Sequence, residues 1–418
     1  MIPLYLTTKN QLRGLSKNDY EILRLLCRLS KNLYNEALYS VRQYYFTEKK
    51  YLRYEDNYHY CKSSDNYKLL NTDIAQQTMK AVDRSFKSFF GLLALAKQGL
   101  YPFEDISIPH YRPKDGYFSL LIPRAKIKNG AFAIPVSLEF KKRYGTVTIH
   151  VPEMLWDKPI KEIRIHPKCN GRFFEIEYVY EKPEVSVPLN PGKFLSVDLG
   201  LDNLASCVTD DGASFIIDGK QIKSYNRLYN KENARLQSVK DRQGIKGNTK
   251  RQYLNLRKRN RRIRHGMSVA ASRIIRFCID NEIGNLVVGC NPEWKQGINI
   301  GKQNNQNFVQ IPHGTLRTKL SYLCQLYGIR YIEQEESYTS KASFFDNDPI
   351  PVYDPENPTN HTFSGKRISR GQYRSKNGIV INADINGALN ILRKCNLIDL
   401  TVLQNSGCVS QPQRIRLF

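Results

Sequence analysis

Asp198 closes the apolar run in Val197-Asp198-Leu199-Gly200, and Asp384 lies in Asn382-Ala383-Asp384-Ile385-Asn386-Gly387, where a helical pattern begins. Two carboxylates drawn from distant parts of a chain to one basic groove suit a pair of Mg²⁺ or Mn²⁺ ions. Such ions polarise a phosphodiester and make hydroxide from water near neutral pH. Each aspartate alone has a plainer reading. Asp is common in turns, which would account for Asp198, and at helix N-caps, which would account for Asp384. The elements between them decide whether the two meet.

Residues 194–199 read as a short buried strand, and residues 204–208 and 214–217 as strands flanking the turn Thr209-Asp210-Asp211-Gly212. A basic helical hairpin follows, then a buried strand at 286–288, a helix at 316–326, a strand at 329–333 and a last helix at 383–392. That order is the order of the ribonuclease-H-like fold. In it the strand of Asp198 is central, and the strands near 286 and 330 run parallel beside it. Their C-terminal ends converge on the edge where α/β sheets bind ligands. Fold likeness places residues and does not by itself establish chemistry.

The N-terminal part reads differently. After Ser16-Lys17-Asn18-Asp19, a helix start, Ile22, Leu26, Leu29, Leu33, Ala37 and Val41 recur at three- and four-residue steps. A second helix runs from about Thr72 to Gly99, and the Tyr- and Lys-rich tract between the two reads as a loop or short helices. Residues 146–151 alternate as a strand. Ile163 and Ile165, the Asn170-Gly171 turn, and Phe174, Ile176 and Tyr178 make a hairpin. Pro183, Pro188 and Pro191 punctuate a linker. The expected fold class is therefore multidomain, α/β plus β. A small β-barrel (1–15 and 100–190) with a helical insert (16–99) precedes a ribonuclease-H-like domain (193–341 and 382–395).

The 418 residues carry 64 Lys and Arg against 39 Asp and Glu, a net charge of +25. This excess excludes an acidic solubiliser and argues against an enzyme of small molecules alone. Between residues 220 and 264 stand sixteen Lys and Arg but only two acids, Glu232 and Asp241. Leu256, Ile263, Ala270, Ile274 and Phe277 keep a helical spacing through and beyond that segment. A helix packed on one side and basic on the other suits a phosphate backbone, with Lys240, Lys250, Arg251, Arg257, Lys258, Arg259, Arg261, Arg262 and Arg264 as the contacts. No aromatic wedge faces the charges, as a membrane-surface helix would want. The longest uncharged apolar run, 89–96, falls short of the ~18 residues of a membrane span. The N-terminus shows no secretory signal, and the nine cysteines form no Cys-x-x-Cys pair, so reduced thiols in the cytoplasm are expected. No phosphate-binding Gly-x-x-x-x-Gly-Lys-Ser/Thr loop is present.

The segment Ser196-Val197-Asp198-Leu199-Gly200-Leu201-Asp202-Asn203-Leu204-Ala205 resembles the first RuvC motif of the transposon-encoded TnpB nucleases. Asn382-Ala383-Asp384-Ile385-Asn386-Gly387-Ala388-Leu389-Asn390-Ile391-Leu392 resembles their third, and Tyr338-Thr339-Ser340-Lys341 the segment leading into their zinc ribbon. The N-terminal organisation is similar to their wedge barrel and recognition lobe. The resemblance implies a prokaryotic RNA-guided DNA endonuclease, akin to compact type V CRISPR effectors and working at the nucleoid. Its partners would be a guide RNA encoded near the gene and a double-stranded DNA target beside a short flanking motif, with no membrane involved. The guide would read the target by base pairing.

Two departures from the family pattern stand out. Residues 342–381, at the ribbon position, contain no cysteine, and Asp346, Asp348 and His361 are irregularly placed for tetrahedral zinc. No zinc and a metal-free remnant loop are expected there, with 396–418 as a C-terminal tail. The second RuvC motif of the family is an apolar strand followed by Glu, whereas here Leu286-Val287-Val288 is followed by Gly289 and Cys290. Three explanations compete: a nuclease-dead binder that represses, a glutamate supplied from elsewhere, or a weak two-carboxylate site. Relocation is favoured. Glu293 lies between Pro292 and Trp294 and turns away, and Trp294 is as readily a core anchor as a stacking surface. Glu335 and Glu336 end the neighbouring strand, ~4.8 Å away. Asp198 would then bridge two metals, Asp384 would hold the second, and Glu336 or Glu335 would replace the lost ligand.

Overall fold

The computed structural model describes residues 4–291, 311–354 and 360–417. The chain divides into two units, Met1–Pro183 and Glu184–Phe418, with the break in the proline-punctuated stretch.

In the first unit β1 (Leu4–Gln11) is followed by helices α1 (Lys17–Glu48), α2 (Tyr54–Cys61), α3 (Asp65–Leu69) and α4 (Thr72–Lys97). Then come β2 (Leu120–Ile122), β3 (Ala131–Ala133), α5 (Leu138–Tyr144), β4 (Thr148–His150), β5 (Ile160–Lys168) and β6 (Phe173–Lys182). The strands form an antiparallel sheet in the order β1-β6-β5-β2 and a separate β3-β4 pair. Ser16 and Asp19 close a capping box at the start of α1, satisfying two orphan amides. The stripe from Ile22 to Val41 is buried in one core with Ile74, Val82 and Phe86 of α4. The Tyr-rich tract is α2 and α3, short helices. Asn170 and Gly171 both take positive φ (56° and 68°), the backbone that a tight hairpin between β5 and β6 demands.

The second unit is built on β7 (Asn190–Asp198), β8 (Asn203–Thr209), β9 (Ser214–Asp218), β10 (Ile283–Cys290) and β11 (Arg330–Glu335). Helices α6 (Lys220–Arg242) and α7 (Lys250–Asp280) separate β9 from β10, and α8 (His313–Tyr327) precedes β11. The segment expected to be a loop contains a small antiparallel sheet of β12 (Lys366–Ser369), β13 (Gln372–Arg374) and β14 (Val380–Asn382). Asp346 and Asp348 act there as turn acceptors, Asp348 receiving the amides of Ser343 at 2.8 Å and Ser364 at 3.0 Å. After α9 (Ala383–Lys394) the C-terminus is no tail. It forms α10 (Thr401–Ser406) and β15 (Gln413–Ile415), which joins the main sheet parallel to β9. The sheet order is β11-β10-β7-β8-β9-β15, with β7 parallel to β10 and antiparallel to β8.

Alternation along β7 sorts its side chains. Leu195 and Val197 face the core that α7 supplies with Met267, Ala270 and Ile274. Phe194 joins the core of the other face, with Ile385, Ala388 and Leu389 of α9. Each such fully buried Leu or Ile contributes about 1.5–3 kcal/mol. Among the described residues, no helix is long and apolar enough to cross a membrane.

Candidate active site

Period-two alternation carries Ser196 and Asp198 to the α9 side of the sheet with Phe194. Ser196 donates to the Ala388 carbonyl at 2.7 Å, which fixes β7 against α9. On β10 the same side takes Val287 and therefore Gly289. On β11 it takes Ile332, then Gln334, the register partner of Gly289, and Glu336 just past the strand end. The helix is locked from its far side by two buried asparagines one turn apart. Asn386 bonds the Ala342 carbonyl and Phe344 amide, and Asn390 the carbonyls of Thr339 and Ala342.

The three carboxylates are staggered along α9. Asp384 sits in its first turn. It is no N-cap, because Asn382 caps the helix by accepting from the amides of Asp384 (3.0 Å) and Ile385 (3.2 Å). Asp198 lies against Gly387, where a Cβ would stand 2.7 Å from its Oδ2. A Cβ on Gly289 would stand 2.5 Å from Glu336 Oε2 and 2.7 Å from Ile391 Cδ1. Positions 384, 387 and 391 mark one face over about 10 Å of helix, with Asp198 in the middle. The Glu336 carboxylate thus fills the space above Gly289.

Electrostatics follow the same order. Burial, then the charges of Glu336 and Asp384, push the Asp198 carboxyl up to about 8, with Arg367 opposing. Burial and the neighbouring Glu335 push Glu336 up to about 7, with Arg317 opposing. Glu336 Oε2 is buried without a hydrogen-bond partner. Such an oxygen calls for a cation. Among the described residues, no three His, Cys, Asp or Glu side chains are close enough together to hold one ion. As placed, the three carboxylates do not form a single-ion cage.

A stability prediction follows for the metal-free protein. The folded state keeps protons on Asp198 and Glu336 that the unfolded chain releases near pH 4, so stability should fall as pH rises from about 4 to 8. Asp198→Asn should flatten that fall and raise the metal-free Tm at pH 8, each kcal/mol being worth about 2–4 °C in a unit of this size. Calorimetry across that range checks it; equal pH slopes for both proteins would refute it.

Glu335 is not in the cleft. Nor does it cross to the other face of the sheet, as strand alternation would have it. It turns to Lys394 at the far end of α9 and accepts the Ser337 amide at 2.5 Å. Burial works against its charge, yet Lys394 and Ser337 hold it below the usual glutamate range. Asp198, Glu336 and Asp384 all line a cleft of 1160 Å³ with Lys220, Lys223, Lys341, Arg367, Arg370 and Arg414. Asn203 donates to Asp384 Oδ2 at 2.5 Å, and Arg367 lies 3.4 Å from its Oδ1. Asn203, Arg367, Arg370 and Arg414 escaped sequence reasoning, the arginines because they lie on short strands with almost no apolar alternation or, for Arg370, in the turn between two of them. Glu293 and Trp294 lie outside the described residues.

The basic hairpin is divided by the packing of α7. From Ile263 onward its residues enter the core, whereas before that only Gln252 is buried. The outer part is held by polar and aromatic contacts with α6. Arg259 donates to Asn226 at 2.8 Å and sits over Tyr229, and Arg262 stacks on Tyr225 at 4.6 Å. Lys240 is buried, and Arg251 pairs with Glu232 at 3.2 Å. These four of the expected phosphate contacts therefore serve the hairpin itself. Lys250, Lys258, Arg261 and Arg264 are exposed, and Arg257 is half-buried.

Residues 177–295 match the OrfB_IS605 family, described as a probable transposase, and residues 313–391 match the Cas12f1-like TNB domain. A TnpB-like protein, ORF457 of Acidianus two-tailed virus, is 26% identical over 404 residues, covering 89% of this chain and 83% of its own length. Among solved structures, the protein of a Cas12f1–sgRNA–target DNA complex aligns with a TM-score of 0.54 at 15% identity, over 90% of this chain and 83% of its own. That likeness speaks to the fold, a RuvC-containing multidomain fold. The first family match contains Asp198, the second contains Glu336 and Asp384, and the viral relative aligns over most of the chain, so the chain is similar to TnpB-family proteins along most of its length.

Proposed function

We propose that the chain is an RNA-guided DNA endonuclease that hydrolyses phosphodiesters with Mg²⁺ or Mn²⁺ held by Asp198, Glu336 and Asp384. The observation that carries this reading is the Glu336 carboxylate lying over Gly289, on the side of the sheet shared with Asp198 and α9. Asp198, with Glu336 on one side along α9 and Asp384 on the other, would hold the ions together with both. When bound, the ions supply Lewis-acid polarisation of the phosphate and water acidic enough to ionise at neutral pH. The protein does the rest. Lys220, Lys223, Lys341 and Arg370 on the cleft wall attract the phosphate chain. Arg367, beside Asp384, offers donors to phosphate oxygens. The structurally similar Cas12f1 protein is in a complex with sgRNA and target DNA. By that analogy the present chain takes a guide RNA, encoded near its gene, and a DNA duplex bearing a short flanking motif. The first unit then serves as wedge and recognition lobe, and the exposed stripe of α7 lies along phosphate backbone.

Gly289 tests this directly. Gly289→Ala places a methyl group 2.5 Å from Glu336 Oε2 and should displace it. Cleavage should drop at least about 10-fold, since a shift of ~1 Å can cost 10²-fold. The exchange Gly289→Glu with Glu336→Gly returns the carboxylate to β10 and should recover part of the loss. Unchanged cleavage by Gly289→Ala would remove Glu336 from the site.

A further inference from the structure

We propose that Arg414, on the C-terminal strand β15, is a positioning residue that fixes the carboxylate of Asp384 by way of Asn203. The inference rests on reading Asp384 as a cation ligand and goes beyond it by assigning the C-terminal strand a part in the site. Three contacts line up. Arg414 donates to Asn203 Oδ1 at 2.9 Å, and Asn203 Nδ2 donates to Asp384 Oδ2 at 2.5 Å. Asp218 Oδ2 lies 3.5 Å from the same Arg414 nitrogen and steadies it. Asn203 and Asp218 are direct cross-strand partners on β8 and β9, and Arg414 pairs in register with Ile216, so three adjacent strands place the chain of contacts.

The two ends of an Asn amide have nearly the same shape, and only their partners tell them apart. Here the partners are of opposite kind. A guanidinium only donates and a carboxylate only accepts, so the amide between them has one workable orientation. Without Arg414 that orientation loses its second constraint, and a flipped amide would set its oxygen against the Asp384 carboxylate. With Arg414 in place, Oδ2 of Asp384 is committed to Asn203. Its Oδ1 is left with Arg367 at 3.4 Å, a long contact that a cation can replace. Gln413 and Arg414 are exposed and Ile415 is half-buried, so β15 adds little to the core by its own packing. What it adds to the cleft is the guanidinium.

Outer partners of ligating side chains typically change metal affinity about 10–100-fold when removed. The test titrates metal-free protein with Mn²⁺ and reads the free ion by electron paramagnetic resonance. Arg414→Met and Asn203→Ala should each weaken Mn²⁺ binding about 10–100-fold. The double variant should be no weaker than either single one, because both break the same connection. Arg416→Met, just past the same strand, should bind like the parent protein. Asn203→Ala leaves β15 untouched, and Arg414→Lys keeps the charge while losing the planar fork, so the result does not hang on one fold-sensitive variant. Arg414→Met and Arg414→Lys with the parent isotherm, or losses that multiply in the double variant, would overturn the proposal. Parent protein that takes up no Mn²⁺ would instead refute Asp384 as a ligand, and the relay with it, before any variant is compared.

Discussion

Glu336→Gln is expected to lower cation-dependent cleavage by about 10³-fold or more, or about 4 kcal/mol of barrier, while guide and target binding persist. The loss should exceed the ~10–100-fold typical of outer partners, because Glu336 supplies the oxygen above Gly289 and its Oε2 has no hydrogen-bond partner. The amide keeps the shape and removes the charge. Asp198→Asn should behave alike. Glu335→Gln separates the two adjacent acids, since its carboxylate engages Lys394 and lines no part of the cleft. It should retain cleavage within several-fold and register as lower thermal stability. Single-turnover cleavage beside a binding isotherm measures all three. Full activity in Glu336→Gln, or equal losses at 335 and 336, would place the ligand elsewhere.

Lys250→Glu, Lys258→Glu and Arg261→Glu together should weaken nucleic-acid binding by about 10²-fold near physiological salt. Each neutralised phosphate adds ~0.7–0.9 to the log–log salt slope, so the slope should fall by about 2–3. These positions lie on one side of the outer half of α7, before the helix enters the core at Ile263. Arg259→Glu should act differently. It breaks the contacts with Asn226 and Tyr229 and should loosen the hairpin. Filter binding between 50 and 400 mM salt checks the triple variant; unchanged affinity and slope would make the stripe a solvated face only.

Much of this arrangement was legible from residues. Apolar runs with clear turns gave β7 to β9, and the helical spacing of Ile263, Ala270 and Ile274 gave the core face of α7. Asp198 and Asp384 stood out because each sits at the end of a strongly patterned element. Other parts lacked such signals. β15 is three residues long, too short for a period, and β12 is exposed throughout. A reader of the sequence sees two adjacent glutamates and no way to know that Lys394 draws one of them away. The buried pair Asn386 and Asn390 was the missed clue: amides at helical spacing on an otherwise apolar stretch announce a packed, hydrogen-bonded face. The division of arginines on α7 between hairpin and solvent depended on Tyr225 and Tyr229 of α6, which only the crossing of the helices reveals.

The most direct measurement purifies the protein with whatever RNA it retains, sequences that RNA, and offers a DNA duplex matching it in millimolar Mg²⁺ or Mn²⁺. Expected is a break in the matched duplex that requires the RNA and the cation and disappears in Glu336→Gln. Matched DNA bound but left intact by the parent protein, at either cation, would contradict nuclease action and leave an RNA-guided binder in its place.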